Sequence, residues 1–229
     1  MIDLFSWPTP NGQKVHIALE ETGLAYTTHA VNIGAGEQFS PEFLAINPNH
    51  RIPAIVDQDG PAGKLALFES GAILVYLADK AGNFMPADAA GRYVCLQWLM
   101  FQMSGIGPMF GQFAHFNAYA PEKLDYAIER YRKEARRLVG VMEKRLKQEP
   151  FLAGTYSIAD MAAWPWIHVG ATRSFEWDDY PKVKAWHDVI EARPAVQRGM
   201  ALLAEHRRPG PMDEKAKDVL FGAKQFEKR

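Results

Sequence analysis

The chain has 229 residues, 48% hydrophobic and 23% charged, a composition that suits a globular protein of one large or two small domains with a proper core. Its formal net charge of −1 gives no electrostatic case for nucleic acid or an anionic membrane as partner, and no apolar run approaches the roughly 20 residues of a membrane helix. The N-terminus lacks a basic region followed by an apolar stretch, so no signal peptide is expected. The lone Cys95 excludes an internal disulfide, and together these features point to a cytoplasmic protein.

Residues 1–5 read as a short apolar strand, followed by a turn punctuated by Pro8, Pro10 and Gly12. From Gln13 to Gly23 a helical stripe of Val15, Ile17, Ala18 and Leu19 ends at Gly23 as C-cap. Residues 25–33 form a second strand, and Ser40-Pro41 looks like an N-cap with proline in the first helical position. Ile52–Asp57 and Leu65–Phe68 are two more strands, joined as a hairpin through Gly60, Pro61 and Gly63, and a helix follows from Glu69 to about Lys80. Residues 1–81 thus spell βαβ-α-ββα, an α/β domain that resembles thioredoxin. Ala81-Gly82-Asn83 and Pro86-Ala87-Asp88 bracket a linker. Residues 88–205 carry helical runs over 89–103, 121–147, 158–169 and 180–192, so an all-α domain is expected there. Ser157 and Asp160 stand at capping-box spacing, and Asp160 reads as a cap rather than a catalytic acid. The charged tail, 206–229, holds an apolar cluster, Val219-Leu220-Phe221; the sequence leaves open whether it packs back as a short helix or stays loose.

Three short segments carry candidate chemistry. A thioredoxin-like site keeps its reactive sulfur at the start of the first helix, where unpaired N–H groups and the helix dipole favour a thiolate. Here that place holds Thr9-Pro10-Asn11-Gly12, with no cysteine, serine or tyrosine nucleophile. A hydroxyl and an amide donate hydrogen bonds to sulfur but have no redox chemistry of their own; alone, the segment is also an ordinary turn. Ile52-Pro53 enters a strand where a cis bond would free backbone groups for an extended peptide, although a trans proline opening a strand is the commoner case. Glu69-Ser70 begins a helix, which makes it either a plain cap or an anion site with a carboxylate placed for an ammonium group. Gly105-Ile106-Gly107-Pro108-Met109-Phe110-Gly111 imitates a dinucleotide fingerprint, but its last glycine comes one residue late and no strand precedes it. It reads as a helix interruption kinked at Pro108. Cys95 reads as a buried small hydrophobe, and the histidines show no metal-ligand spacing, so no metal is expected.

Taken in order, these segments resemble the glutathione transferase superfamily, and the Thr-Pro-Asn-Gly turn resembles its nu class, the bacterial and fungal disulfide reductases. The resemblance covers about residues 1–205. It implies a thioredoxin-like glutathione-binding domain followed by an all-helical domain with the electrophile pocket and dimer contacts. It implies glutathione, reduced or oxidised, as cosubstrate, with Thr9 and Asn11 as donors to its sulfur. Ile52 would hold the cysteinyl part through its main chain before a cis Pro53, and Glu69 and Ser70 would hold the γ-glutamyl end. Gln38 and Arg130 would also contact the ligand, Arg130 across a homodimer interface, with His50 and Arg51 beside the glycyl carboxylate. Trp7, Met109, Phe113, His115 and Phe116 are candidates for the electrophile pocket, with helix packing the alternative for each. The expected activity is reduction of small-molecule disulfides. Conjugation of electrophiles, reduction of organic peroxides, or a non-catalytic binding or regulatory role are the rival readings.

Overall fold

The computed structural model describes residues 1–171, 174–207 and 212–227. Four strands, β1 (Ile2–Ser6), β2 (Tyr26–Ala30), β3 (Ala54–Gly60) and β4 (Gly63–Phe68), form one sheet in the order β2-β1-β3-β4. β1 runs parallel to β2 and antiparallel to β3, which sets Leu4 between Thr28 and Ile55. A parallel pair needs a crossover, and α1 (Pro10–Thr22) supplies it. The expected β3–β4 hairpin pairs Ile55 with Leu67. β3 starts at Ala54, so Ile52 and Pro53 stand outside the ladder as its approach.

α1 begins at Pro10 rather than Gln13. Thr9 is its N-cap and Pro10 its first residue, where a missing N–H costs nothing; the polar first turn carries no apolar period that would announce it. Gly23 closes the helix in the left-handed region, as its place in the sequence suggests. α2 (Pro41–Leu44) is capped by Ser40, whose Oγ accepts from the Phe43 N–H at 3.2 Å. α3 (Ser70–Ala81) follows β4.

The rest of the described chain is helical. α4 (Ala89–Phe101) runs through a π-helical turn at Gln102–Ile106 into α5 (Gly107–Ala114), and a second π turn covers His115–Tyr119. The glycine-rich stretch therefore does not break the helix. The π turn absorbs it, and Pro108, which has no N–H to donate, stands at the start of α5 directly after that turn. α6 (Asp125–Leu146) starts later than the run from Pro121 suggested; α7 (Ile158–Gly170) and α8 (Pro181–Glu191) lie close to expectation. α9 (Pro194–Ala201) was not anticipated, and it packs on α1 through Gly199: a Cβ there would meet the Ile17 backbone at 2.8 Å. α10 (Glu214–Phe221) resolves the question of the tail in favour of a packed helix, although residues 208–211, 228 and 229 lie outside the described residues.

One apolar core joins the sheet to the helices, from Leu4 through Ile17 and Leu74 to Leu99, Met142 and Trp164. α1 packs against α3, α7 and α9, and every residue from Gly12 to Leu19 is buried. This explains why polar residues on α1 are inside the molecule. Cys95 is fully buried, and burial pushes its thiol up. Asp160 is a structural residue. Its carboxylate accepts from Leu152 N and Trp186 Nε1 on one oxygen and from Ser157 N and Oγ on the other, at 2.9–3.1 Å. Burial raises its pKa to about 6, but its oxygens are committed to the α7 capping box and its neighbours.

Candidate functional site

The turn between β1 and α1 is closely fitted. Gly12 cannot carry a side chain, because a Cβ would lie 2.1 Å from the Trp7 carbonyl oxygen. Thr9 Oγ1 accepts weakly from Gly12 N–H at 3.4 Å, which leaves the hydroxyl proton to donate outward. Asn11 Oδ1 accepts from Trp166 Nε1 at 3.0 Å. An indole N–H can only donate, so the atom facing it must be the amide oxygen. Asn11 is thereby oriented with its NH2 group turned away from α7. Two donors, a hydroxyl and an amide, are left at the positive end of a helix with no nucleophile between them.

On the next loop the Ile52-Pro53 bond is cis. Asn47 is buried and holds this approach, donating from Nδ2 to the Arg51 carbonyl at 2.5 Å and accepting from Asn49 N–H at 2.8 Å. The sheet register begins at Ala54, so the Ile52 backbone groups take no part in it. Gln38, in a 3₁₀ turn at Glu37–Phe39, is buried rather than an exposed loop amide, and its Oε1 has no partner among the described residues. His50 Nδ1 is likewise buried and unpartnered, and its ring lies 5.8 Å from Phe39. Orphaned buried polar atoms are few in native proteins, and two of them flanking one loop fit a polar ligand that completes them. Arg51 is exposed.

The third segment departs from a simple cap. Glu69 is exposed, holds φ at +70° and makes no side-chain cap bond. A non-glycine residue in that region is strained by about 1–3 kcal/mol, a feature concentrated at binding sites. Ser70 is therefore the first residue of α3 rather than its cap, and the helix opens with its N–H groups uncapped. Beneath it lies Lys14, a residue the sequence reading passed over, 1% exposed, with Nζ 3.3 Å from Ser70 Oγ and 3.4 Å from Met103 Sδ. Met103 belongs to the first π turn and leans over Gly71, where a Cβ would meet it at 3.0 Å.

A cavity of about 800 Å³ opens beyond Thr9, walled by Trp7, Asn117, Tyr119, Arg207, Lys217 and other residues of these segments. Trp7 lines this cavity, stacked on His206. The other pocket candidates are elsewhere. Phe113 is buried with Arg132 over its ring, Phe116 stacks on Tyr131, and His115 packs on Phe221 of α10. Met109 instead lines a groove of about 400 Å³ with the exposed Arg130. The π turns at 102–106 and 115–119 rotate the side chains that follow them relative to a continuous α-helix. Trp166, Lys14 and the tail residues Arg207 and Lys217 were missed; only Lys14, three residues past Asn11 inside a buried stripe, left a trace in the sequence. On α6, Glu129 pairs with Lys133 at 3.6 Å and Glu134 with Arg137 at 2.7 Å. The ligand atoms of His168, His187 and Glu191 come within 4.8 Å of one another, yet the two rings are already joined at 3.0 Å, a separation suited to a shared proton.

Comparison with known proteins supplies the family. The models for the glutathione S-transferase N-terminal and C-terminal domains match residues 1–79 and 125–189. The disulfide-bond oxidoreductase YfcG of Escherichia coli is 51% identical over 206 residues, 89% of this chain and 95% of that protein. A glutathione transferase of Burkholderia graminis, solved with two glutathione molecules per subunit, is 49% identical with a TM-score of 0.84, over 87% of each chain. One from Pseudomonas putida, with one glutathione disulfide per subunit, is 46% identical with a TM-score of 0.83, over 87% of this chain and 90% of that one. The sulfur-free turn, the cis-proline approach and the open α3 N-terminus are thus set in a chain that belongs to the glutathione S-transferase family, in the branch of the bacterial disulfide-bond oxidoreductases.

Proposed function

We infer that this chain is a glutathione-dependent disulfide-bond oxidoreductase. The observation that carries this reading is the α1 turn, where Thr9 and an Asn11 oriented by Trp166 present donors to a sulfur the protein does not own. The relatives solved with glutathione or its disulfide indicate where that sulfur comes from. Thr9 and Asn11 stabilise the glutathione thiolate, which raises the ionised fraction near neutral pH. The thiolate attacks one sulfur of a small disulfide; a new S–S bond forms, and the other half leaves as a thiolate that takes a proton from water. A second glutathione thiolate then attacks the glutathione sulfur of the mixed disulfide. Two glutathiones end as glutathione disulfide, and the substrate ends as two thiols.

The remaining residues bind. The Ile52 backbone, free of the sheet, pairs with the cysteinyl unit beside cis-Pro53. Glu69 pairs with the α-ammonium group, while Ser70 and the uncapped α3 N-terminus take the α-carboxylate. Gln38 and His50, each with an unpartnered buried atom, complete the site with Arg51 toward the glycyl end. The chain acts as a homodimer in which the exposed Arg130 reaches the partner's glutathione; the exposed Tyr93, Met100 and Tyr126 supply apolar surface for such an interface.

The test is glutathione-dependent reduction of hydroxyethyl disulfide beside conjugation of chlorodinitrobenzene, for wild type and Asn11→Ala. Faster disulfide turnover that collapses in the variant supports the reading. Conjugation outrunning reduction would reassign the enzyme to conjugation, and neither activity together with no retention on immobilised glutathione would remove it from catalysis.

A further inference from the structure

Lys14 is a charged side chain in a position where charges are rarely found. It is 1% exposed on α1, and among the described residues no carboxylate lies within ion-pair distance of its Nζ. Its two contacts are Ser70 Oγ and Met103 Sδ, and thioether sulfur is a poor acceptor. The elements around α1 bring one charge to bear on it, Glu69 at the β4–α3 junction; α3 contributes Ser70 and the π turn Met103, neither of them ionic. A lone buried ammonium is costly unless something completes it.

We propose that Lys14 is the positioning residue for the γ-glutamyl carboxylate: it holds Ser70 from inside the protein and supplies the buried positive charge that a carboxylate at the α3 N-terminus completes. This rests on the glutathione reading above. The ammonium donates to Ser70 Oγ, so the Ser70 hydroxyl proton must point elsewhere; at present it faces Met103 Sδ at 3.6 Å. A carboxylate is a far better acceptor and captures that proton, so the two hydrogen bonds form a relay from buried cation to bound anion. The π turn that brings Met103 over Gly71 closes the inner side against water. Burial lowers the Lys14 pKa from 10.5 to about 7, with Glu69 acting against it, so the unliganded group no longer holds its proton firmly at neutral pH. An added anion raises that pKa again, and binding therefore draws in a proton.

The experiment uses S-methylglutathione, whose thiol cannot titrate, and the same compound with hydrogen in place of the α-carboxylate. Calorimetry in buffers of different ionisation enthalpy counts the protons taken up as each ligand binds wild type and Lys14→Met. Wild type takes up a fraction of a proton with S-methylglutathione above about pH 7 and essentially none well below it. It takes up none with the decarboxylated ligand. Lys14→Met abolishes the uptake and weakens S-methylglutathione about 10- to 100-fold, the worth of one charge-assisted hydrogen bond, while binding the decarboxylated ligand as wild type does. Equal losses for both ligands, or Lys14→Met affinity within about twofold of wild type, would overturn the proposal. If the variant does not fold, equal proton uptake by wild type with the two ligands overturns it instead. Failure of wild type to bind either ligand would count against the glutathione reading and take this proposal with it.

Discussion

Asn11 owes its orientation to a side chain 155 positions further along the chain. The Trp166 indole fixes which end of the amide faces away from α7, so in the proposed sulfur site two residues, one per half of the molecule, make one donor. Asn11→Ala should lower kcat/KM for disulfide reduction about 10- to 100-fold, since it removes a hydrogen bond to a charged group. Trp166→Phe should give a smaller loss in the same direction, about 2- to 10-fold, because the amide is retained but free to turn. Ultraviolet absorbance of the bound thiolate reads both effects directly, and an unchanged ionised fraction in Trp166→Phe would remove the indole from the mechanism. Asn11 was legible as a candidate from its place before a helix. Trp166 was not, because an aromatic residue within an apolar helix looks the same whether its N–H faces a core carbonyl or an active site.

At the scale of elements, β3 and α3 are tied by one carboxylate. Asp57 takes a bond from Tyr76 Oη at 2.6 Å and lies 2.8 Å from Lys80 Nζ. Burial alone would raise its pKa, but these donors, with the Asp59 N–H, outweigh it and hold the carboxyl at about 2. A depressed carboxylate stabilises the fold above its unfolded pKa, near 3.8, and that contribution is lost as pH falls toward about 2. Asp57→Asn should flatten the acid limb of the stability curve in that window, as followed by urea unfolding at successive pH values. The α7 capping box makes a different claim. Asp160→Ala strands four donors, two of them backbone N–H groups, and should cost at least about 3 kcal/mol. Its loss of activity should follow the loss of folded protein, and a folded but inactive variant would point to a catalytic role. α10 walls the cavity beyond Thr9 with Ala216, Lys217 and Leu220. Truncation after residue 207 should weaken oxidised glutathione about tenfold while leaving the reduced form nearly unaffected, because it removes the cavity wall that a second glutathione half would meet. The Ser157–Asp160 box could be read directly because a cap is a local pattern, whereas the fate of the tail depends on Phe221 finding His115 and Tyr119.

For the whole molecule, the two halves are bound into one body. Glu21 on α1 accepts from Arg193 Nε and Nη2 at 2.5 and 2.8 Å, and Tyr156 Oη adds a third bond at 3.2 Å. The Arg193 guanidinium also lies 4.0 Å from the Tyr156 ring centre. Because α1 belongs to both the proposed sulfur site and this junction, stability and activity should share one unfolding transition. Thermal unfolding followed by tryptophan fluorescence and by loss of disulfide reduction should coincide. The homodimer reading predicts a sedimenting mass of about twice 25.7 kDa. Arg130→Ala should then raise KM for glutathione with little change in kcat; a monomer at working concentrations would remove Arg130 from the site. Among the described residues no helix is long and apolar enough to cross a membrane.

The sequence by itself determined the order of the elements over residues 1–81 and marked three candidate segments, the Thr9–Gly12 turn, Ile52-Pro53 and Glu69-Ser70. Strand alternation, caps and a proline at a strand entry are local, set by backbone chemistry within a few residues. What only the tertiary structure decided is which polar groups face one another: Trp166 on Asn11, Lys14 under Ser70, and α10 over the cavity. Those pairings depend on how far α1 is buried and on two π turns that shift the helical register. Both arise from packing between segments distant in the chain, and no local pattern records them.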